Sequence, residues 1–235
     1  MSQKQWTVDD MVSMKEKTVV ITGANTGIGY VACKAMLQHD AKVYMMARDS
    51  QKSHDAIKRM QQETGKEAIE LIPLDLSDLR GVRKAAETFL SKENKLDVLM
   101  NNAYVYYAMS LEGRILNIDF RGVMMCPMDR LTKDGYDFTF GVNVLGHFHL
   151  TNLLLPALLA VPAPRVINIT SLGHRGAPWN GFYWNTLKGP KKDTWIPFLK
   201  DFQRFQCYAQ SKLVSVILLF STFHSTDSDS SPEQN

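Results

Sequence analysis

In YAQSK a phenol and an ammonium stand four residues apart, Tyr208 and Lys212. On a helix that spacing stacks the two side chains on one face. A free tyrosine ionises only near pH ~10 and is a poor base at neutral pH. A cation one turn away stabilises the phenolate and brings it into range. Tyr208 could then give a proton to a carbonyl oxygen or take one from an alcohol. Y-x-x-x-K occurs by chance in many helices, so it needs other motifs beside it. One is TGANTGIG, Thr22–Gly29. Gly23 permits a sharp strand-to-helix turn, Gly27 lets the backbone approach a pyrophosphate, and Gly29 lets the helix pack on the sheet. Asn25, Thr26 and Ile28 fill this loop at the helix N-terminus, where free N–H groups and the positive dipole end favour phosphate. These residues are expected to bind a dinucleotide, although the spacing is G-x-x-x-G-x-G rather than the usual G-x-G-x-x-G.

Two further positions refine the cofactor. In MARDSQK a strand candidate ends at Ala47 and is followed by Arg48. A free ribose 2′-OH usually meets a carboxylate there, whereas a 2′-phosphate wants a guanidinium. NADP is therefore expected over NAD; the plain alternative is that Arg48 pairs with Asp49. In LDLSD, Asp75 sits at a strand's C-terminal end, where a carboxylate can accept from an adenine amino group. Asp75 and its neighbour Leu76 are assigned to the cofactor, against the reading of Asp75 as an ordinary polar residue before a helix.

Elements alternate along the chain to position these groups. Apolar β-branched runs predict strands over 18–22, 41–47, 68–76, 95–103 and 165–171. Helices are expected over 27–38, through SQKSHDAIKRMQQETG with a stop at Gly65, from a Ser77 cap to about Ser91, over 136–159, and from near Cys207. Alternating β and α units imply an α/β, three-layer, doubly wound parallel sheet with right-handed crossovers. Residues 1–16 read as an N-terminal extension, 17–222 as one dinucleotide-binding oxidoreductase domain, and the small, polar run 223–235 as a disordered tail.

Composition excludes several classes. The formal charge is +3 with basic residues spread along the chain, which gives no case for nucleic acid. Cys33, Cys126 and Cys207 are far apart and odd in number, so no metal site or disulfide framework is expected, and a reducing, cytoplasmic setting is. The N-terminus lacks the apolar core of a secretory signal, and no run approaches 18 uninterrupted apolar residues, so no membrane span is expected.

TGANTGIG, LDLSD, NNA, NVLGHFHL, INITS and YAQSK occur in that order. The series resembles the short-chain dehydrogenase/reductase family, and NVLGHFHLT, SLGHR and YAQSKL look closest to its retinol-dehydrogenase-like branch. The resemblance covers Lys17 to Leu213 apart from 104–121, and it implies a Rossmann-type sheet. It implies that Asn143 holds a water in a proton relay and that Ser171 hydrogen-bonds the substrate oxygen. Tyr208 is then the acid/base, and Lys212 holds the nicotinamide ribose and tunes Tyr208. Asn101, Asn102 and Ala103 form the turn beside the cofactor. The implied activity is an NADP-dependent interconversion of a carbonyl and an alcohol on an apolar small molecule. The aromatic segment between Ser171 and Tyr208 would line the substrate site or pack as a surface loop. Homodimerisation through the long helices is a further implication.

The chain departs from the family pattern twice. Deleting residues 104–121 restores NNAGVMMCPMD, so this run reads as an insertion beside the cofactor turn. After YAQSKL the family adds two strands and a substrate-covering helix, so a sheet truncated at its C-terminal strands is expected here. The expectation is that both segments are translated introns, which sequencing the mature transcript against the genomic locus tests. The alternative function is a catalytically impaired nucleotide-binding relic or a non-catalytic interaction protein.

Overall fold

The computed structural model describes residues 6–103, 126–179, 182–188 and 197–224. The expected insertion at 104–121 lies outside them. Contacts group the chain into two units. The first comprises Met1–Asp75, Leu79–Ala103 and Phe148–Ile167; the second comprises Leu76–Asp78, Tyr104–His147 and Asn168–Asn235.

The sheet has five strands: β1 (Thr18–Thr22), β2 (Lys42–Ala47), β3 (Ile69–Pro73), β4 (Val98–Asn101) and β5 (Arg165–Asn168). Their order is β3-β2-β1-β4-β5. β1 pairs in parallel with β2 and with β4, and β2 with β3. The central strand β1 is buried along its whole length, as its run of Val and Ile requires. β5 alternates exposed and half-buried residues and forms an edge of the sheet among the described residues. The first unit holds α1 (Gly27–Gln38), α2 (Gln51–Thr64), α3 (Leu79–Leu90) and the later part of the long helix that ends at Leu159. Its core joins Ile21, Leu37, Met45, Met60, Phe89 and Leu99, all fully buried. Each such side chain stabilises the fold by about 1.5–3 kcal/mol relative to exposure. Tyr44 meets Phe89 edge-on at 5.2 Å between centroids.

Local chemistry accounts for α2. Ser50 caps its start by accepting from the Ser53 amide, and Gly65 ends it in the left-handed region at φ 68°. α1 matches its expected span. α3 begins at Leu79, so Asp78 rather than Ser77 immediately precedes it. β1 matches its expected span, and the other four strands are shorter than the runs that announced them, because ladder pairing stops where the turns begin.

A continuous helical run, α4 (Phe138–Leu159), follows. It starts later than the expected Tyr136, because the Asp137 carboxylate caps it by accepting the Phe140 amide at 2.7 Å. It opens with one α-turn, continues as a π-helix over Gly141–Gly146, and returns to α-helix over His147–Leu159. By length and composition alone α4 could cross a membrane, but half of it is buried in the protein. Leu150, Leu154, Ala157 and Leu158 are core residues, and core packing accounts for its apolar character. The last helix, α5 (Pro197–His224), begins ten residues before the expected Cys207. The apolar spacing near its start is masked by charged and amide side chains (Lys200, Asp201, Gln203, Arg204).

Candidate active site

In the first unit, the chain leaves β1 at Gly23, whose φ is +67°. A Cβ there would stand 2.7 Å from the Ala103 Cα, so glycine is required on both counts. The Thr22 hydroxyl accepts from the amides of Asn102 (2.9 Å) and Ala103 (2.8 Å). The Asn102 side-chain amide donates to the Thr22 carbonyl at 2.9 Å. These bonds bind the expected Asn101–Ala103 turn to the glycine loop across eighty residues of sequence. Gly29 serves the same junction: a Cβ on it would lie 2.4 Å from Asn102 Nδ2. Asn101 donates to the Thr151 hydroxyl at 3.0 Å.

The Gly27 turn, at φ +61°, opens α1. Thr26 occupies the N-cap without a side-chain cap, no acidic residue stands in the first turn, and Ile28 is exposed. Unfilled amides at a helix start suit an anion. Asn25 is held back from this face, donating to the Ser53 hydroxyl at 3.2 Å, which itself donates to the Arg48 carbonyl at 2.7 Å. The fully buried Ser53 thus joins the glycine loop to the turn after β2.

That turn borders a cavity of about 330 Å³, lined among others by Arg48, Asp75, Lys84 and Thr88. The neighbouring carboxylate, Asp49, bonds His54 Nε2 at 2.8 Å. Among the described residues Arg48 makes no ion pair, so the alternative of an Arg48–Asp49 pair does not hold in this structure. Leu76 falls in the second unit and is buried, with its carbonyl facing Gly146: a Cβ there would come within 2.7 Å.

The second unit contains all the expected catalytic side chains. Asn143 lies in the π-helical part of α4 and is buried. Its Nδ2 donates to Ser211 Oγ at 3.0 Å, and Ser211 Oγ donates to the Tyr208 carbonyl at 2.7 Å. Asn143 Oδ1 is buried without a partner among the described residues. Tyr208 and Lys212, both buried, share a face of α5, with Nζ 5.9 Å from the phenol ring centroid. Lys212 Nζ donates to the Ile169 carbonyl at 3.0 Å, and the Thr170 hydroxyl donates to the Lys212 carbonyl at 3.0 Å. Burial pulls the Lys212 ammonium down to about 8. Ser171 Oγ accepts the Gly173 amide at 3.1 Å, which leaves its own proton to donate. Gly173 lies between Ser171 and Tyr208: a Cβ on it would stand 2.9 Å from Tyr208 Cε1 and 3.3 Å from Ser171 Oγ.

His147 Nδ1 stands 3.2 Å from the Asn143 carbonyl. That carbonyl can only accept, so Nδ1 carries the proton. Burial pulls this imidazole down to about 4, so it is neutral near pH 7. In the aromatic segment, Phe182 packs against Phe140 and Trp184 at 5.6 and 4.8 Å, while Trp179 and Trp184 remain 91% and 76% exposed.

Sequence reasoning missed Thr22, Ser53, Gly173, His147 and Ser211. Thr22 and Ser211 stood inside the quoted motifs, but only the glycines and the Tyr–Lys pair were weighed. Gly173, two residues after Ser171, carried a signal in SLG. His147 and Ser53 gave none, since their roles arise from distant partners. No cluster of potential metal ligands occurs among the described residues.

Known proteins bear on this arrangement. The short chain dehydrogenase family model matches residues 17–186. A short-chain dehydrogenase/reductase of Armillaria gallica is 43% identical over 217 residues, 91% of this chain and 61% of that protein. Retinol dehydrogenase 11 of Homo sapiens is 39% identical over 180 residues, 77% of this chain and 50% of that protein. The chain thus spans about half to three-fifths of the length of these curated relatives. The crystal structure of an uncharacterized protein from Mycobacterium paratuberculosis aligns with a TM-score of 0.70 at 32% identity, covering 97% of this chain and 69% of that one. With the order of motifs, the five-stranded sheet and these matches in agreement, the chain belongs to the short-chain dehydrogenase family.

Proposed function

We propose that this chain is an NADP-dependent oxidoreductase that interconverts a carbonyl and an alcohol on an apolar small molecule. The observation that carries the reading is the second unit's grouping of Tyr208 with Lys212 on one helix face, tied through Ser211 to Asn143. In the reductive direction the Tyr208 hydroxyl donates its proton to the substrate oxygen, and the Ser171 hydroxyl donates a hydrogen bond to the same oxygen. The Lys212 ammonium stabilises the phenolate left on Tyr208. In the oxidative direction the phenolate takes the proton back. The nicotinamide, when bound, supplies or accepts the hydride.

The residues of the first unit suit such a cofactor. The uncapped start of α1 suits its pyrophosphate, and Asn102 Oδ1 beside the glycine loop, buried without a partner among the described residues, suits a donor. Arg48, which borders the cavity and makes no ion pair among the described residues, favours a 2′-phosphate. Exposed Leu172, Trp179 and Trp184, in the same unit as Tyr208, favour an apolar substrate.

The test follows NADPH binding by fluorescence and NADPH oxidation with a panel of apolar aldehydes, for the unaltered chain and Tyr208→Phe. Turnover that vanishes in the variant while NADPH still binds supports the reading. Binding without turnover in the unaltered chain would instead support a nucleotide-binding relic. Undiminished turnover in Tyr208→Phe would remove Tyr208 from the chemistry.

A further inference from the structure

Arg48 shares its cavity with a second cation. Lys84 of α3 lines the same wall, and both residues belong to the first unit. The sheet register explains why they approach. Ala47 pairs with Pro73, so the parallel strands β2 and β3 end at one edge of the sheet, where Arg48 and Asp75 leave it. α3 starts just beyond, at Leu79. Side chains on a helix lean toward its N-terminus, over the turn that precedes them. From Lys84 that direction runs over Gly81 and back toward the strand ends that carry Arg48. Gly81 also lines the cavity and has no side chain to obstruct that path. Glycine weakens a helix interior, so open space rather than helix stability accounts for its place on this face.

The other polar groups of the wall are committed elsewhere. Asp49 bonds His54 Nε2 at 2.8 Å. The Thr88 hydroxyl gives its single proton to the Lys84 carbonyl at 2.8 Å, so toward the cavity it can only accept. Asp75 is the carboxylate read above as the acceptor for an adenine amino group. Lys84, like Arg48, makes no ion pair among the described residues. The donors left for a ligand are therefore a guanidinium from the strand turn and an ammonium from the helix, beside the buried apolar side chains of Leu74 and Ala85. A phosphate monoester carries close to two negative charges at neutral pH. Two cations on one cavity suit such a dianion: arginine supplies directed hydrogen bonds, and lysine a point charge.

We propose that Lys84 is a second specificity-determining residue for the cofactor, its ammonium and the Arg48 guanidinium holding the 2′-phosphate of NADP from two elements of one cavity. The assignment rests on the reading of Arg48 and NADP given above. It adds α3, an element outside every motif that pointed to the cofactor in the sequence.

The test needs no turnover. Isothermal titration calorimetry on the full chain compares adenosine 2′,5′-bisphosphate with adenosine 5′-monophosphate, two probes that differ only in the 2′-phosphate. The unaltered chain is expected to prefer the bisphosphate. Lys84→Ala should weaken the bisphosphate about three- to tenfold and leave the monophosphate within about twofold. Lys84 is exposed and alanine is the best helix former, so α3 is kept in this variant. Lys84→Arg, which keeps the charge, should recover most of the loss. Bisphosphate affinity unchanged in Lys84→Ala but lost in Arg48→Ala overturns the role of Lys84 and leaves the NADP reading standing. An equal loss for both probes also overturns it, because the contact is then not to the 2′-phosphate. A loss in Lys84→Ala with none in Arg48→Ala overturns the pairing of the two cations. An unaltered chain that binds the two probes alike, or binds neither, removes the NADP reading itself and this proposal with it.

Discussion

Gly173 lies against the edge of the Tyr208 ring so closely that a methyl group on it would come within 2.9 Å of Cε1. Ring and backbone are both buried or half-buried there, so the phenol itself has to move. Gly173→Ala is expected to displace Tyr208, lower kcat at least tenfold, and cost about 1–3 kcal/mol of stability through overpacking. Steady-state kinetics with a parallel urea melt checks this. A variant with full kcat would mean that the ring has room that the contact denies.

Lys212 carries the pH dependence. Burial lowers its ammonium to about 8, below the ordinary value of 10.5. Between those values the unfolded chain holds the proton that the folded chain has lost, so this group's contribution to stability rises with pH from about 8 to 10.5. Activity runs the other way. As pH climbs through about 8 the cation beside Tyr208 disappears, and the reductive rate is expected to fall with a midpoint near that value. Lys212→Arg, which keeps its charge at every accessible pH, should lose the midpoint and run at a plateau roughly tenfold lower, since a planar guanidinium does not reproduce the compact ammonium's placement at the Ile169 carbonyl. A rate flat from pH 7 to 9 in the unaltered protein would separate Lys212 from the proton chemistry.

Arg48 should decide between the two nicotinamide cofactors. Its guanidinium borders the 330 Å³ cavity and makes no ion pair among the described residues. A charge-assisted bond to a 2′-phosphate is worth about 1.5–3 kcal/mol, or roughly 10- to 100-fold in dissociation constant. Arg48→Ala should therefore weaken NADPH by that factor and leave NADH within about twofold. Fluorescence titration of both cofactors reads the difference directly. Equal loss for both would place Arg48 away from the 2′ position.

Asp137, which caps α4, and His147, within it, should pull acid stability in opposite directions. Burial raises the Asp137 carboxyl from 3.8 to about 6. The folded state keeps that proton longer than the unfolded state, so its contribution is full below about pH 3.8 and is lost as pH rises through 6. Burial lowers His147 from 6.5 to about 4, so its contribution is present above 6.5 and is lost as pH falls through 4. Asp137→Asn keeps an oxygen to accept the Phe140 amide but removes the titration. Relative to the unaltered chain, it should gain on the order of 2–3 kcal/mol between pH 4 and 7. Urea melts at four pH values across that window measure the gain, and parallel profiles would refute the assignment.

What the sequence by itself determined was mostly local. Ser50 and Gly65 bracket α2 because a capping hydroxyl and a left-handed residue act within one turn of their own position. The same holds for α1, for the succession of short apolar strands along the chain, and for the glycine loop after β1. The tertiary structure decided what depends on distant partners. Thr22 became the acceptor for the Asn102 and Ala103 amides only once β1 and β4 were paired. The early start of α5 and the π-helical turn around Asn143 follow no periodicity in the residues themselves. The lowered Lys212 and the orientation of the Asn143 carboxamide come from burial and from a hydroxyl sixty-eight residues away. Propensity and capping are short-ranged, whereas desolvation and hydrogen-bond direction are set by whatever the folded chain brings alongside.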